Sequence, residues 1–331
     1  MPTQPRFDVV GIGNALVDVL SHEDDAFVAA HDLVRGSMSL IDADRAQTLY
    51  AAMGPGTEIS GGSVANTTAG IASFGGSAAY LGRVFDDQLG AVFSHDLRAQ
   101  GVTFVNKPAV DGPPTGRSLI VITADGQRTM STFLGAAEFF GPEEVDADVV
   151  ADAQVTFLEG YLFDRPDSQE AYWLASKIAI DAGRRVALTL SDLFCVERHR
   201  DEFLPLVRER VDILFANEAE ACALWGCDEA GAAVDRARSE VGVACITLSE
   251  KGSVVVAGPE THEIPAYPTA LVDTTGAGDL YAAGFLYGYT NGRSLPESGR
   301  LGALAASEVI SHTGARPEIS LATLIDRAIA G

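Results

Sequence analysis

Along most of the chain, short apolar runs alternate with amphipathic stretches. The run FDVVGIG, residues 7–13, is rich in β-branched residues and closed by glycines, which predicts a buried strand that opens a sheet. Helical spacing follows in SVANTTAGIASFG (63–75), then a strand in AAYLGRV (78–84), a helix in DQLGAVFSHDLRAQ (87–100) and a strand in VTFV (102–105). Farther on, VTFLEGYLF (155–163), RVALTL (185–190), VDILFAN (211–217) and ACITLSE (244–250) read as buried strands separated by Ala-rich helices. Two more helices begin after Gly276 and Ser294. Strands that alternate with helices in this way make a parallel sheet covered on both faces.

Two stretches break the rhythm. Residues from about 16 to 50 mix short alternating runs with acidic breaks, unlike a compact βαβ unit, and residues 113–135 alternate apolar and polar positions around an Asp125-Gly126 turn, a hairpin signal. The expected architecture is a single α/β domain over residues 1–331. A small β-rich lid, formed by about 15–50 and about 104–135, projects from it.

Charge narrows the partners. A net charge of -23 and 47% hydrophobic residues describe a chain with a large core that repels nucleic acid and anionic membranes at long range. A polyphosphate would be repelled too, so a phosphate site here must rely on backbone amides, a few arginines and a divalent cation. Cys195, Cys222, Cys227 and Cys245 form no CxxC pair and lie in apolar or helical segments, as reduced thiols do. The six histidines are scattered without zinc-site spacing, and no apolar run reaches membrane-spanning length. A cytoplasmic protein is expected.

The sharpest chemical feature is DTTGAGD, residues 273–279, followed by the amphipathic run LYAAGFLYGYT. Gly276, Ala277 and Gly278 put small residues where a helix begins, so unpaired N–H groups can converge on an anion without side-chain obstruction. Asp279, in the first turn, is held ionised by the helix dipole beside that cradle. A hydroxyl nucleophile there would meet its base.

DTTGAGD resembles the C-terminal signature of the ribokinase-type (PfkB) carbohydrate kinase family. GGSVANTTAGIASFGG with LGRVFDDQLG, within residues 61–90, resembles its N-terminal signature, so the similarity spans nearly the whole chain. The resemblance implies a ribokinase-like fold, ATP as co-substrate and Mg2+. It implies an anion hole at Gly276, Ala277 and Gly278 with Asp279 as catalytic base. Asn217 and Glu220 of NEAE match the family's NxxE motif, which positions Mg2+ and phosphate through water. Thr247, Ser249 and Gly252 of TLSEKG stand where the family has a Thr-x-Gly-x-x-Gly nucleotide loop, with Ser249 replacing the middle glycine. Ala306, with Ala305 and Gly314, falls in the stretch that flanks adenine in relatives. Asp273 and Thr275 fall where some relatives bind a monovalent cation, and Thr275 also belongs to the ATP side.

The acceptor segments resemble the adenosine kinase branch. The resemblance implies Asp18 as the ribose-diol ligand, with Asn14, Gly62, Ser63 and Asn66 supplying further polar contacts. Arg128 matches an arginine that reaches the transferring phosphate, and Leu134 and Tyr161 are the expected walls for a purine. A purine nucleoside is the expected acceptor, with a fructose- or ribose-type sugar as the alternative. The oligomeric expectation is a monomer or a lid-mediated homodimer.

Other classes fit worse. GIGNAL follows the first strand as a dinucleotide fingerprint does, but its third glycine is Leu16 and Asp18 comes too soon. No GxxxxGK[ST] occurs, and GGSVA has Ala65 where a nucleophile elbow needs glycine. A silent ligand-binding regulator on the same fold is disfavoured by Asp279 and the complete cradle.

Overall fold

The structure, a computed structural model, describes residues 5–329. Its strands in chain order are β1 (Phe7–Ile12), β2 (Leu16–His22), β3 (Met38–Leu40), β4 (Gly56–Gly61), β5 (Ala78–Leu81), β6 (Thr103–Phe104) and β7 (Gly116–Ile122). Then come β8 (Arg128–Phe133), β9 (Ala153–Glu159), β10 (Arg185–Thr189), β11 (Ile213–Asn217), β12 (Val243–Thr247), β13 (Ser253–Ala257) and β14 (Glu260–Ile264). Nine of them form one sheet in the order β14-β13-β12-β11-β10-β9-β1-β5-β6. From β12 to β6 every pairing is parallel, and β13 and β14 add an antiparallel ribbon at one edge.

Both faces of this sheet are buried, as the continuous apolar strands require. On one face Val9, Phe157 and Phe215 pack with Ile71 of the Ser63–Ser73 helix and Phe285 of the Ala277–Thr290 helix. On the other, Val10, Ile12 and Leu188 pack with Tyr172 and Phe203 from the Pro166–Asp181 and Leu193–Arg210 helices. Adjacent residues of β1 thus serve opposite cores, and each fully buried side chain of this size contributes about 1.5–3 kcal/mol.

The other five strands form a separate sheet, ordered β3-β8-β7-β2-β4. Its strands include Gly56–Gly61, outside the stretches that the sequence pattern singles out, whereas Thr103–Phe104 pairs with β5 in the larger sheet. The Ala43–Ala52 helix packs against β7 and β8. Period-two alternation places Leu16 and Asp18, Met38 and Leu40, Ser118 and Ile120, and Met130 and Thr132 along one cavity.

One helix contact positions the chemistry. A Cβ on Gly70 would stand 2.7 Å from both Ala283 Cβ and Leu280 Cδ1, so only glycine lets the Ser63–Ser73 and Ala277–Thr290 helices approach this closely. The contact brings the first turns of the two helices face to face.

Candidate active site

Between the two sheets lies a cavity of about 620 Å³, within the range of small-molecule sites. Asp279 stands where the two helix starts meet. Ser63 Oγ donates to its Oδ1 at 2.6 Å, Asn66 Nδ2 donates to its Oδ2 at 2.8 Å, and Thr67 Oγ1 donates to its carbonyl at 3.1 Å. Burial pushes the Asp279 carboxyl above the usual carboxylate range, while the two side-chain hydrogen bonds and the charge of Arg316 oppose that rise. The carboxylate is therefore fixed in direction and made more basic.

The turn beside it opens the Ala277–Thr290 helix, with the Ala277 amide donating to the Thr274 carbonyl at 3.2 Å. Gly276 caps the helix with φ of 79°, and a Cβ there would meet Ala315 Cβ at 2.8 Å. A Cβ on Gly278 would meet nothing within 4 Å, because it would point into open space. The first-turn amides of Gly278 and Asp279 have no acceptor within the helix. An anion can enter without displacing a side chain.

Further acceptor atoms line the cavity within reach of the Asp279 charge. Asp18 on β2 contributes a carboxylate that burial pushes up to about 6, against the pull of Arg316 and Arg128. Asn14 Oδ1 and Asn66 Oδ1 are buried and have no hydrogen-bond partner among the described residues. Three adjacent acceptors without donors suit a ligand carrying several hydroxyl groups. Gly62 caps the Ser63–Ser73 helix at φ of 98° and also lines this region.

Leu134, Tyr161, Asn217, Glu220, Thr247, Thr275 and Ala277 all line the same cavity. Asn217 and Glu220 form a reciprocal capping box, with Asn217 Nδ2 donating to Glu220 Oε1 at 2.6 Å. Burial raises the Glu220 carboxyl to about 7. Among the described residues no group of three or more His, Cys, Asp or Glu side chains is arranged to hold a metal. A cation here would rest on a single carboxylate, phosphate oxygens and water, a donor set that suits Mg2+.

Five expected site residues lie off the cavity wall. Arg128 Nη1 pairs with Asp273 Oδ2 at 3.0 Å. Asp273 also accepts from the Thr275 amide, the Thr275 hydroxyl and the Gly314 amide, at 3.0, 2.7 and 3.0 Å. The guanidinium thus braces the loop leading into the cradle, where a cation was expected, and its Nε and Nη2 remain unpartnered among the described residues. Ala306 packs against the core from the Leu295–Val309 helix. Ser249 and Gly252 flank the turn after β12. Ser249 adopts φ of 54°, the conformation glycine takes without penalty, so the serine at this place carries about 1–2 kcal/mol of backbone strain.

Two buried ionisable residues of the site, Glu159 and Arg316, belong to no sequence motif. Glu159, at the end of β9, accepts from the Asn14 amide at 2.8 Å, Asn14 Nδ2 at 3.0 Å and the Val64 amide at 3.0 Å. Burial raises it to about 7. It clamps the turn after β1 to the start of the Ser63–Ser73 helix. A lone glutamate ending the apolar run VTFL was the available signal. Arg316 donates to the Ala65 carbonyl at 2.5 Å and the Ser60 carbonyl at 2.7 Å, and its charge acts on both Asp18 and Asp279. Nothing local in GARP marks it, because its partners come from residues 18–96 and 279. Phe194, 77% exposed, also lines the cavity mouth.

Comparison with known proteins identifies the family. A solved structure of adenosine kinase from Sinorhizobium meliloti is 53% identical, with a TM-score of 0.89 over 98% of this chain and 99% of that one. A probable sugar kinase from Rhizobium etli is 51% identical, with a TM-score of 0.90 and the same coverage. A 5-dehydro-2-deoxygluconokinase from Shouchella clausii is 26% identical over 92% of this chain and 90% of its own length. Residues 34–321 match the family model of the pfkB family carbohydrate kinases. With the ribokinase-like α/β fold and this match over most of its length, the chain belongs to the PfkB family of sugar and nucleoside kinases, phosphotransferases that act on a hydroxyl group.

Proposed function

We propose that the chain transfers the γ-phosphoryl group of ATP to the 5′-hydroxyl of a purine nucleoside. The observation that carries this assignment is the pairing of a donor-hungry floor with apolar walls. Asp18, Asn14 and Asn66 offer acceptors to a ribose diol, and Leu134, Tyr161 and Phe194 line the same cavity as surfaces for a planar base. Burying such a ring contributes area and stacking that a free sugar lacks. The name of the Sinorhizobium meliloti relative supports this choice.

Asp279 accepts the proton of the attacking hydroxyl, and Ser63 and Asn66 aim it. Gly276, Ala277 and Gly278 form the anion hole, in which the free amides of Gly278 and Asp279 stabilise charge on the transferring phosphoryl group while the Ala277 amide is held by the Thr274 carbonyl. Asn217, Thr247 and Thr275 form the ATP side within the cavity, and Ser249, Gly252 and Ala306 would extend it beyond the cavity wall. Glu220 would hold Mg2+ through water, and the ion would supply neutralisation of phosphate charge. The smaller sheet acts as the lid, excluding water when ligand fills the cavity.

The relatives named as sugar kinases favour the second reading, a sugar acceptor. The deciding assay is ADP release with adenosine, inosine, guanosine, ribose and fructose. Nucleosides should outrank free sugars in kcat/KM. Robust turnover of fructose or ribose with none on any nucleoside would leave a kinase with a different acceptor.

A further inference from the structure

At the cavity mouth, beyond Tyr161, two side chains stand as an adjacent acceptor and donor. Asp164 follows Tyr161 by one turn in the Gly160–Asp164 segment, and Arg198 follows Phe194 by four residues, on the same side of the Leu193–Arg210 helix. All four residues line the cavity. Arg198 Nη2 contacts Asp164 Oδ1 at 3.1 Å, and His199 Nε2 lies 2.6 Å from the same oxygen. His199 reaches that position because the helix departs from helical geometry there, with φ of -118°, while its ring packs edge-on against Phe163 at 5.9 Å.

Both anchoring contacts thus fall on one carboxylate oxygen. Among the described residues, Asp164 Oδ2 receives no hydrogen bond, and Arg198 makes no side-chain contact to an acceptor other than Asp164. The pair is partly exposed, at 28% for Asp164 and 50% for Arg198. In a chain of net charge -23, a guanidinium turned toward the substrate cavity needs an explanation that solubility does not supply.

We propose that Asp164 and Arg198 read the polar edge of the base and select a 6-aminopurine over a 6-oxopurine. The proposal rests on the nucleoside assignment above. An amino group at C6 donates to Asp164 Oδ2, and the neighbouring ring nitrogen accepts from Arg198. A fixed acceptor and donor side by side match adenine on either edge that carries the amino group. With a 6-oxopurine, the carbonyl would face the carboxylate and two acceptors would repel.

The test compares kcat/KM for adenosine, inosine and purine riboside, which lacks the C6 substituent, in wild type, Asp164→Asn and Arg198→Ala. In Asp164→Asn the amide oxygen stays toward Arg198 and His199, so the amide N–H replaces Oδ2 as the atom facing the ligand. The adenosine-to-inosine ratio should fall by roughly tenfold to a hundredfold, the discrimination of one bidentate base contact, with inosine gaining in relative terms. Arg198→Ala, at a half-exposed position that tolerates truncation, should weaken adenosine by about tenfold while leaving KM for ATP unchanged.

An equal loss on all three nucleosides in Asp164→Asn would mean a purely structural Asp164 and would overturn the proposal. So would a rise in the KM for ATP in Arg198→Ala with nucleoside ratios unmoved, which would put the pair on the nucleotide side. Wild-type activity on fructose or ribose alone would remove the nucleoside assignment and the proposal together. That outcome is distinguishable from an adenosine kinase whose ratio the variants fail to move.

Discussion

Replacing Asp279 with asparagine separates proton acceptance from positioning. The substitution keeps the side chain's size. One of its polar atoms remains an oxygen for Asn66 Nδ2, now 2.8 Å from Asp279 Oδ2, and the new amide N–H faces Ser63 Oγ, which can turn from donor to acceptor. Asn66 can alternatively flip, because its Oδ1 has no partner among the described residues. The variant loses a favourable helix-dipole interaction of about 0.3–1 kcal/mol and sheds the burial cost that raises the wild-type pKa. Stability should therefore change by less than about 1 kcal/mol, a Tm shift of a few degrees at most.

Losing a general base lowers kcat by about a hundredfold to ten-thousandfold, or about 3–5.5 kcal/mol of barrier. Phosphoryl transfer has a loose transition state in which positioning carries much of the catalysis, so a purely orienting role is the competing explanation. Asp279→Ala distinguishes the two. If Asp279 accepts the proton, asparagine and alanine should be similarly inactive in ADP release, with ATP binding by calorimetry unchanged in both. If it only orients the hydroxyl, asparagine should recover most of the activity that alanine loses. Retention of at least half the wild-type turnover in Asp279→Asn would refute the base assignment.

The two cradle glycines should fail in opposite ways. Gly278→Val should fold with an unchanged Tm and lose phosphoryl transfer, because its Cβ enters open space where the anion sits, and normal turnover would remove the cradle from this turn. Gly276→Ala should destabilise the fold by about 2–4 kcal/mol, from left-handed strain and the 2.8 Å approach to Ala315, measured by denaturant titration. Asp18 gives a pH dependence. Its carboxyl sits near 6, so nucleoside binding that needs an ionised acceptor should be full at pH 8 and weaken as pH falls through 6. Calorimetric Kd values should lose that limb in Asp18→Asn, and a flat wild-type profile would exclude Asp18 as the diol ligand.

The repeating pattern of apolar runs determined the parallel sheet and its two helical layers, because strands buried on both faces have a local signature. The helix start at Gly276 was equally legible, since DTTGAGD places its small residues and its aspartate within one first turn. What sequence could not decide was which distant groups meet. Asp279 is aimed by Ser63 and Asn66 only because Gly70 lets two helices touch. Arg128, expected on the phosphate, sits on the hairpin that the Asp125-Gly126 turn signals, but it meets Asp273 only because the smaller sheet packs beside that distant loop. Glu159 and Arg316 look like isolated charges along the chain and become a clamp and a buried counter-charge only when strands far apart in sequence are paired. Periodicity records how each segment is buried, whereas the electrostatics of the site arise from long-range contacts that only tertiary packing creates.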